Sequence, residues 1–102
     1  MTKIINSEIK KTQNILKALN HPLREQILAD IWNNKNSINV TDLQIKLRTG
    51  AKIEQSVVSQ QLSILRNAKL VTKERKGKYI FYSVDLNEIS RLEFLVQQIN
   101  KN

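Results

Sequence analysis

Apolar positions along this chain follow two different periods, and the change from one to the other divides it. In "SEIKKTQNILKALN" Ile9, Ile15, Leu16 and Leu19 recur at helical spacing, predicting a helix that opens at Ser7 and Glu8 and ends near Asn20. The single proline, Pro22, suits the first turn of a second helix, where a missing N–H leaves no intrahelical bond unmade. "PLREQILADIWNN" then sets Leu23, Ile27, Leu28, Ile31 and Trp32 on one side, and "NKNS" reads as a polar loop. "VTDLQIKL" predicts a short third helix, capped by Thr41 and burying Leu43 and Leu47. After a loop, "RTGAKIE", broken by Gly50, a fourth helix runs from about residue 54 to 68, with Val58, Leu62 and Leu65 at i, i+4 and i+7 facing the core.

The period then falls to two. "LVTKER" and "YIFYSV" are β-branched and aromatic runs separated by "KGK", in which Gly77 can supply a positive φ, so they predict a β-hairpin with a basic tip. The last stretch, "DLNEISRLEFLVQQI", returns to helix with Asp85 as its N-cap and a broad apolar face from Leu86, Ile89, Leu92, Phe94, Leu95, Val96 and Ile99. The fold class is mainly α (α+β), in the order α-α-α-α-β-β-α, which is that of a winged helix-turn-helix. One domain over residues 1–102 is expected, with the helix-turn-helix at about 41–68, the wing at about 70–84, and dimerising helices at about 5–19 and 85–100.

Charge sharpens this picture through its placement. The net charge is +8, and residues 46 to 78 hold nine basic side chains against two acids, Glu54 and Glu74, a surplus of seven in about a third of the chain. Such a block is the footprint of a surface that meets a polyanion; the plainer alternative is a solvated basic face. The chain has no cysteine, which excludes disulfides, thiol chemistry and thiolate metal sites. "MTKIINSEIKKTQ" lacks the apolar run of a signal peptide and no stretch suits a membrane span, so a cytoplasmic location is expected.

The fourth helix carries the chemistry. With its apolar residues turned inward, Gln55, Ser56, Ser59, Gln60 and Ser63 are left outside, short and polar, without a carboxylate to repel phosphate. Gln can pair with adenine through the oxygen and the NH2 of its amide together, and Ser can donate or accept at several bases, so these five are the candidates for reading base edges. Lys73, Arg75, Lys76 and Lys78 on the hairpin, with Arg48 and Lys52 on the loop and Thr41, are the candidates for phosphate contacts. His21, in "NHPLR", is expected to pack at a helix junction. Trp32, Phe81 and Tyr82 fall on apolar registers and are expected in the core, while Tyr79 beside the wing tip is left open. With no nucleophile and base pair, no metal constellation and no phosphate-cradling glycine loop, an enzyme is not expected.

At these residues the sequence resembles the ArsR/SmtB family of bacterial winged-helix repressors, over roughly residues 12 to 99. "LKALNHPLREQIL" is similar to that family's first helix junction, "QSVVSQQLSILRNAKLV" to its recognition helix, and "KERKGKYIFYSV" to its wing. The resemblance implies a homodimer on a double-stranded DNA operator with dyad symmetry, paired through the first and last helices. Ile5, Ile9, Leu16, Ile89, Leu92, Val96 and Ile99 are the corresponding interface residues, with Ile4 beside them. The sequence departs from the family where metals bind: its "CVCDL" site reads "NVTDL" here, with Asn39 and Thr41 in place of the thiolates, and the last helix offers Asp85, Glu88 and Glu93 without an imidazole. No metal and no other cofactor is therefore expected, metal or thiol sensing is not implied, and no effector is identified. Lys69 also stands where the family commonly has glycine, and the loop 48–54 is longer than its usual turn. The rival reading is a basic helical dimer that binds RNA or an acidic protein partner without reading DNA sequence.

Overall fold

Pro22 decides how the first two helices join. The structure is a computed structural model that describes residues 2–47 and 53–100, with side-chain surroundings for 7–47, 53–91, 94 and 97. Helix α1 (Thr2–Leu19) begins well before the predicted Ser7 and closes with the Asn20 N–H donating to the Leu16 carbonyl at 3.0 Å. The Ala18 carbonyl would next accept from residue 22, which is proline and has no N–H; the His21 N–H turns instead to the Leu19 carbonyl at 2.8 Å. Arg24 fills the gap, its Nε donating to the Ala18 carbonyl at 2.6 Å. Helix α2 (Pro22–Asn33) then starts with proline in its first turn and His21 in extended conformation before it, half-buried and without a side-chain cap.

Strand β1 (Ile38–Asn39) is the element the hydrophobic pattern misses, because two residues are too few to show a period. The chain reaches it through Lys35 and Asn36, both left-handed at φ 60° and 55°. Asn36 then imitates a strand residue with its side chain: its Nδ2 donates to the Val84 carbonyl at 3.2 Å and its Oδ1 accepts from the Val84 N–H at 2.7 Å. The observed order is therefore α-α-β-α-α-β-β-α, with β1 at one edge of an antiparallel sheet, beside β3 (Tyr79–Val84), and β2 (Val71–Lys76) at the other. Helix α3 (Val40–Lys46) is capped by Asn39, whose Oδ1 accepts from the Asp42 N–H at 2.9 Å. Thr41, the expected cap, lies one residue inside the helix and is exposed; the side chain two residues earlier has the extended backbone that a cap needs.

Helix α4 (Gln55–Asn67) matches its predicted extent within a residue at each end and stops in a Schellman motif: the Leu70 N–H donates to Leu65 and the Lys69 N–H to Arg66, both at 3.0 Å. This geometry puts Lys69 at φ 68°, a conformation that favours glycine. Strands β2 (Val71–Lys76) and β3 (Tyr79–Val84) form the hairpin, with Gly77 at φ 64° in its two-residue turn. Helix α5 (Leu86–Asn100) starts at Asp85, whose Oδ1 accepts from the N–H of Asn87 and of Glu88.

Among the described residues the core takes side chains from every element but α5 and β3, which pack against it through Ile89, Tyr82 and Val84. Its fully buried members include Ile27, Ile31, Ile38, Leu43, Leu47, Val58, Leu62, Leu65 and Leu70, each contributing about 1.5–3 kcal/mol through removal from water. Among the described residues no polar side chain is buried. Two aromatic expectations are corrected. Trp32 is 54% exposed, because it sits about 100° around the helix from Ile31 and farther still from Ile27, off the buried stripe. Phe81 pairs across the strands with Glu74 and so lies on the sheet face away from Tyr82, with the Lys76 ammonium 5.6 Å from its ring centre.

Candidate nucleic-acid interface

Val58, Leu62 and Leu65 fix the azimuth of α4, and everything else on that helix follows from it. At 100° per residue the ridge opposite the core is Ser56, Gln60, Ser63 and Asn67, all exposed. Gln55 and Arg66 are exposed on one flank, where Ser59 is half-buried. The other flank carries Val57 and Ile64, each 37% exposed, and Gln61, whose Oε1 accepts from Arg24 Nη1 at 2.9 Å. Of the five residues expected to read bases, Gln55, Ser56, Gln60 and Ser63 are thus open to a partner, and Ser59 stands at the margin. Asn67, Arg66 and Val57 join them on the exposed surface. The same 100° arithmetic places Asn67 on the ridge from sequence alone.

Two glutamines are used inside the molecule instead. Gln44 of α3 donates through Nε2 to the Ile53 carbonyl at 2.7 Å, tying α3 to the chain just before α4, and Gln61 is held by Arg24. Thr41 is exposed in the first turn of α3. Arg48 and Lys52 lie outside the described residues.

Strand pairing sorts the basic wing into two faces. Lys73 and Arg75 oppose Tyr82 and Ile80, on the face that also carries Val71 and Val84 toward the helices. Lys76 opposes Tyr79 on the other face, and Lys78 sits in the turn with its ammonium 5.4 Å from the Tyr79 ring centre. All four cations are exposed, as are Lys46, Arg66 and Lys69 on neighbouring elements. The tip is braced by Arg75, whose Nε donates to the Gly77 carbonyl at 3.1 Å.

Of the terminal helices, α1 exposes Ile9 and Leu16, 49% and 51%, two turns apart on one stripe, and α5 exposes Leu86 and Phe94, 51% and 59%. Ile89 is half-buried against the core, so it braces α5 from beneath. The side chains of Ile5, Leu92, Val96 and Ile99 lie outside the described residues. Arg91 joins the two helices, donating to Glu8 at 2.6 Å and to Glu88 at 3.2 Å.

No family model matches the chain. Over 97 residues it is 30% identical to the transcriptional repressor PagR of Bacillus anthracis, covering 95% of this chain and 92% of PagR. The crystal structure of PagR superposes with a TM-score of 0.71 at 27% identity, covering 88% of this chain and 98% of that one. The chain belongs to the ArsR/SmtB family of winged-helix transcriptional regulators. An ArsR-like regulator from Rhodococcus sp. RHA1 shares the fold at a TM-score of 0.79 and 16% identity, over 93% of this chain and 84% of that one. The biofilm growth-associated repressor of Agrobacterium fabrum is 35% identical over 78 residues, 76% of this chain and 62% of its own length.

For an ArsR/SmtB chain, the short helix α3 is the place to look for a departure. Asn39, where the family's thiolate site begins, commits its amide to the helix cap, its Oδ1 on the Asp42 N–H and its Nδ2 on the Asp42 carboxylate at 3.2 Å. The family is one of regulators and not of enzymes, in agreement with the sequence reading. Among the described residues no helix is long and apolar enough to cross a membrane.

Proposed function

We propose that the protein is a homodimeric, sequence-specific repressor that binds a DNA operator with dyad symmetry and blocks its promoter. The observation that carries this reading is the outward ridge of α4, Ser56, Gln60, Ser63 and Asn67, flanked by a basic hairpin. Short uncharged donors and acceptors let the helix backbone approach the major groove, where amide and hydroxyl groups meet base edges. Gln55, Ser56, Ser59, Gln60 and Ser63 read the sequence. Lys73, Arg75, Lys76 and Lys78, with Arg48, Lys52 and Thr41, hold phosphates and fix the register.

Dimerisation places two such helices on successive half-sites. Ile9 and Leu16 on α1 and Phe94 on α5 support a second copy as the cover of the terminal helices, since about half or more of each apolar side chain is open to water. Ile5, Leu92, Val96 and Ile99 complete that interface. The repressor works without metal or thiol sensing: the chain has no cysteine, and Asn39 is committed to its cap. Its place is the cytoplasm, with its operator.

Selection of bound duplexes from a random pool at about physiological salt tests the reading. An inverted repeat with half-site centres about 34–36 Å apart is the expected result. Salt-dependent binding with no enriched motif overturns it and turns the search to RNA or an acidic protein, because salt dependence alone marks any polyanion binder.

A further inference from the structure

Arg24 does more than close α1. Its Nε donates to the Ala18 carbonyl at 2.6 Å, the acceptor left open by Pro22, and its Nη2 reaches the Lys17 carbonyl at 3.4 Å, left open because the His21 N–H turns to Leu19. The third nitrogen, Nη1, donates to Gln61 Oε1 at 2.9 Å, across 37 residues of sequence. One planar, permanently charged group therefore binds the end of α1 and the flank of α4 at once, and its rigid fork lets neither bond move without the other. Beside it a groove of about 290 Å³ opens between the two helices, lined by Asn14, Lys17, Ala18, Ile64 and Asn67. The shared core holds the two helices from beneath, and along the open groove the charged Arg24–Gln61 bond is a directional tie that fixes their angle.

We propose that Arg24, acting through Gln61, is a positioning residue that fixes α4 relative to α1 and thereby sets the distance between the two reading helices of the dimer. This rests on the dimeric DNA-binding reading above. Gln61 does not touch the operator in this scheme; it tells α4 where α1 is. Pro22 and Arg24 form one device, since the proline removes the N–H whose absence brings the guanidinium to the Ala18 carbonyl.

The test uses the full chain and three variants: Gln61→Met, which keeps the side-chain length and leaves the α1 cap intact, Arg24→Lys, which keeps the charge and loses the fork, and the pair together. Binding is measured on inverted repeats whose half-sites are moved apart or together by one and two base pairs, and on a single half-site. Gln61→Met should lose about tenfold on the optimal spacing and flatten the preference among spacings, while changing the single half-site by no more than about twofold. The double variant should match the singles. A Gln61→Met protein with the wild-type spacing profile overturns the proposal, whereas a wild type with no spacing preference overturns the dimeric reading beneath it. A second measurement needs no DNA: in this cysteine-free chain, Asn67→Cys accepts one spin label per protomer. The distance distribution between labels should be narrow in the wild type and broad in Gln61→Met. An unchanged distribution overturns the link, and the absence of any dipolar signal overturns the dimer.

Discussion

Lys69→Gly should make the protein more stable, although it removes a side chain and a charge. Lys69 holds φ 68° because the Schellman motif at the end of α4 requires it, with Leu65 and Leu70 both fully buried and pinned by the 3.0 Å bond between them. An L-residue in the left-handed region costs about 1–2 kcal/mol through the clash of Cβ with its own backbone. Glycine removes that clash but gives back about 0.5–1 kcal/mol in unfolded-chain entropy. At the midpoints of these ranges the net gain is about 0.75 kcal/mol, or about 3–6 °C in melting temperature for a domain of this size. Thermal melts at one fixed protein concentration measure it, because a dimer's midpoint moves with concentration. Lys69→Ala is the control: it loses the same charge and keeps Cβ, so it should fall within about 0.5 kcal/mol of the wild type. Equal stability of the Gly and Ala variants refutes the backbone account and assigns any gain to the missing charge.

Gln60→Ala should cost about 1–3 kcal/mol on the selected operator and relax the preference at one base pair, measured by competition among single-base variants; equal loss on random duplex assigns Gln60 to phosphate. Arg75→Ala and Lys76→Ala should each weaken all duplexes alike and reduce the salt slope by about one unit for each phosphate no longer neutralised, and an unchanged slope removes the wing from the interface. Leu16→Asp should leave the monomer folded, since Leu16 is already half exposed, yet dissociate the dimer by placing an unpaired charge in a buried interface. A sedimentation profile that stays dimeric moves the interface away from α1.

The long elements were legible in the sequence because each has a sustained apolar period: Val58, Leu62 and Leu65 set α4 to within a residue, and Gly77 set the hairpin turn. What escaped was short or paired at long range. Strand β1 spans two residues and depends on Asn36 bonding Val84, 48 positions away, which no local pattern encodes. Trp32 was misplaced because hydrophobicity alone does not distinguish the centre of a buried stripe from its edge. At the site, the exposed ridge was readable from helical geometry. The internal commitments of Gln44 and Gln61 were not, since a glutamine facing a neighbour and one facing solvent look alike in sequence.

The sheet has one long open edge, β2, and its sequence "TKERK" lines that edge with four consecutive charged residues. The opposite edge, β1, is only two residues long and runs directly into α3. Unpaired strands invite copies of themselves to add on, and charge along the strand is what prevents it. Beyond the operator contacts proposed for them, the wing cations thus have a role in the free protein: charge along this edge opposes edge-to-edge assembly. Variants that strip several of them at once should precipitate in the absence of nucleic acid, so a loss of affinity in such a protein has to be separated from a loss of soluble material by light scattering.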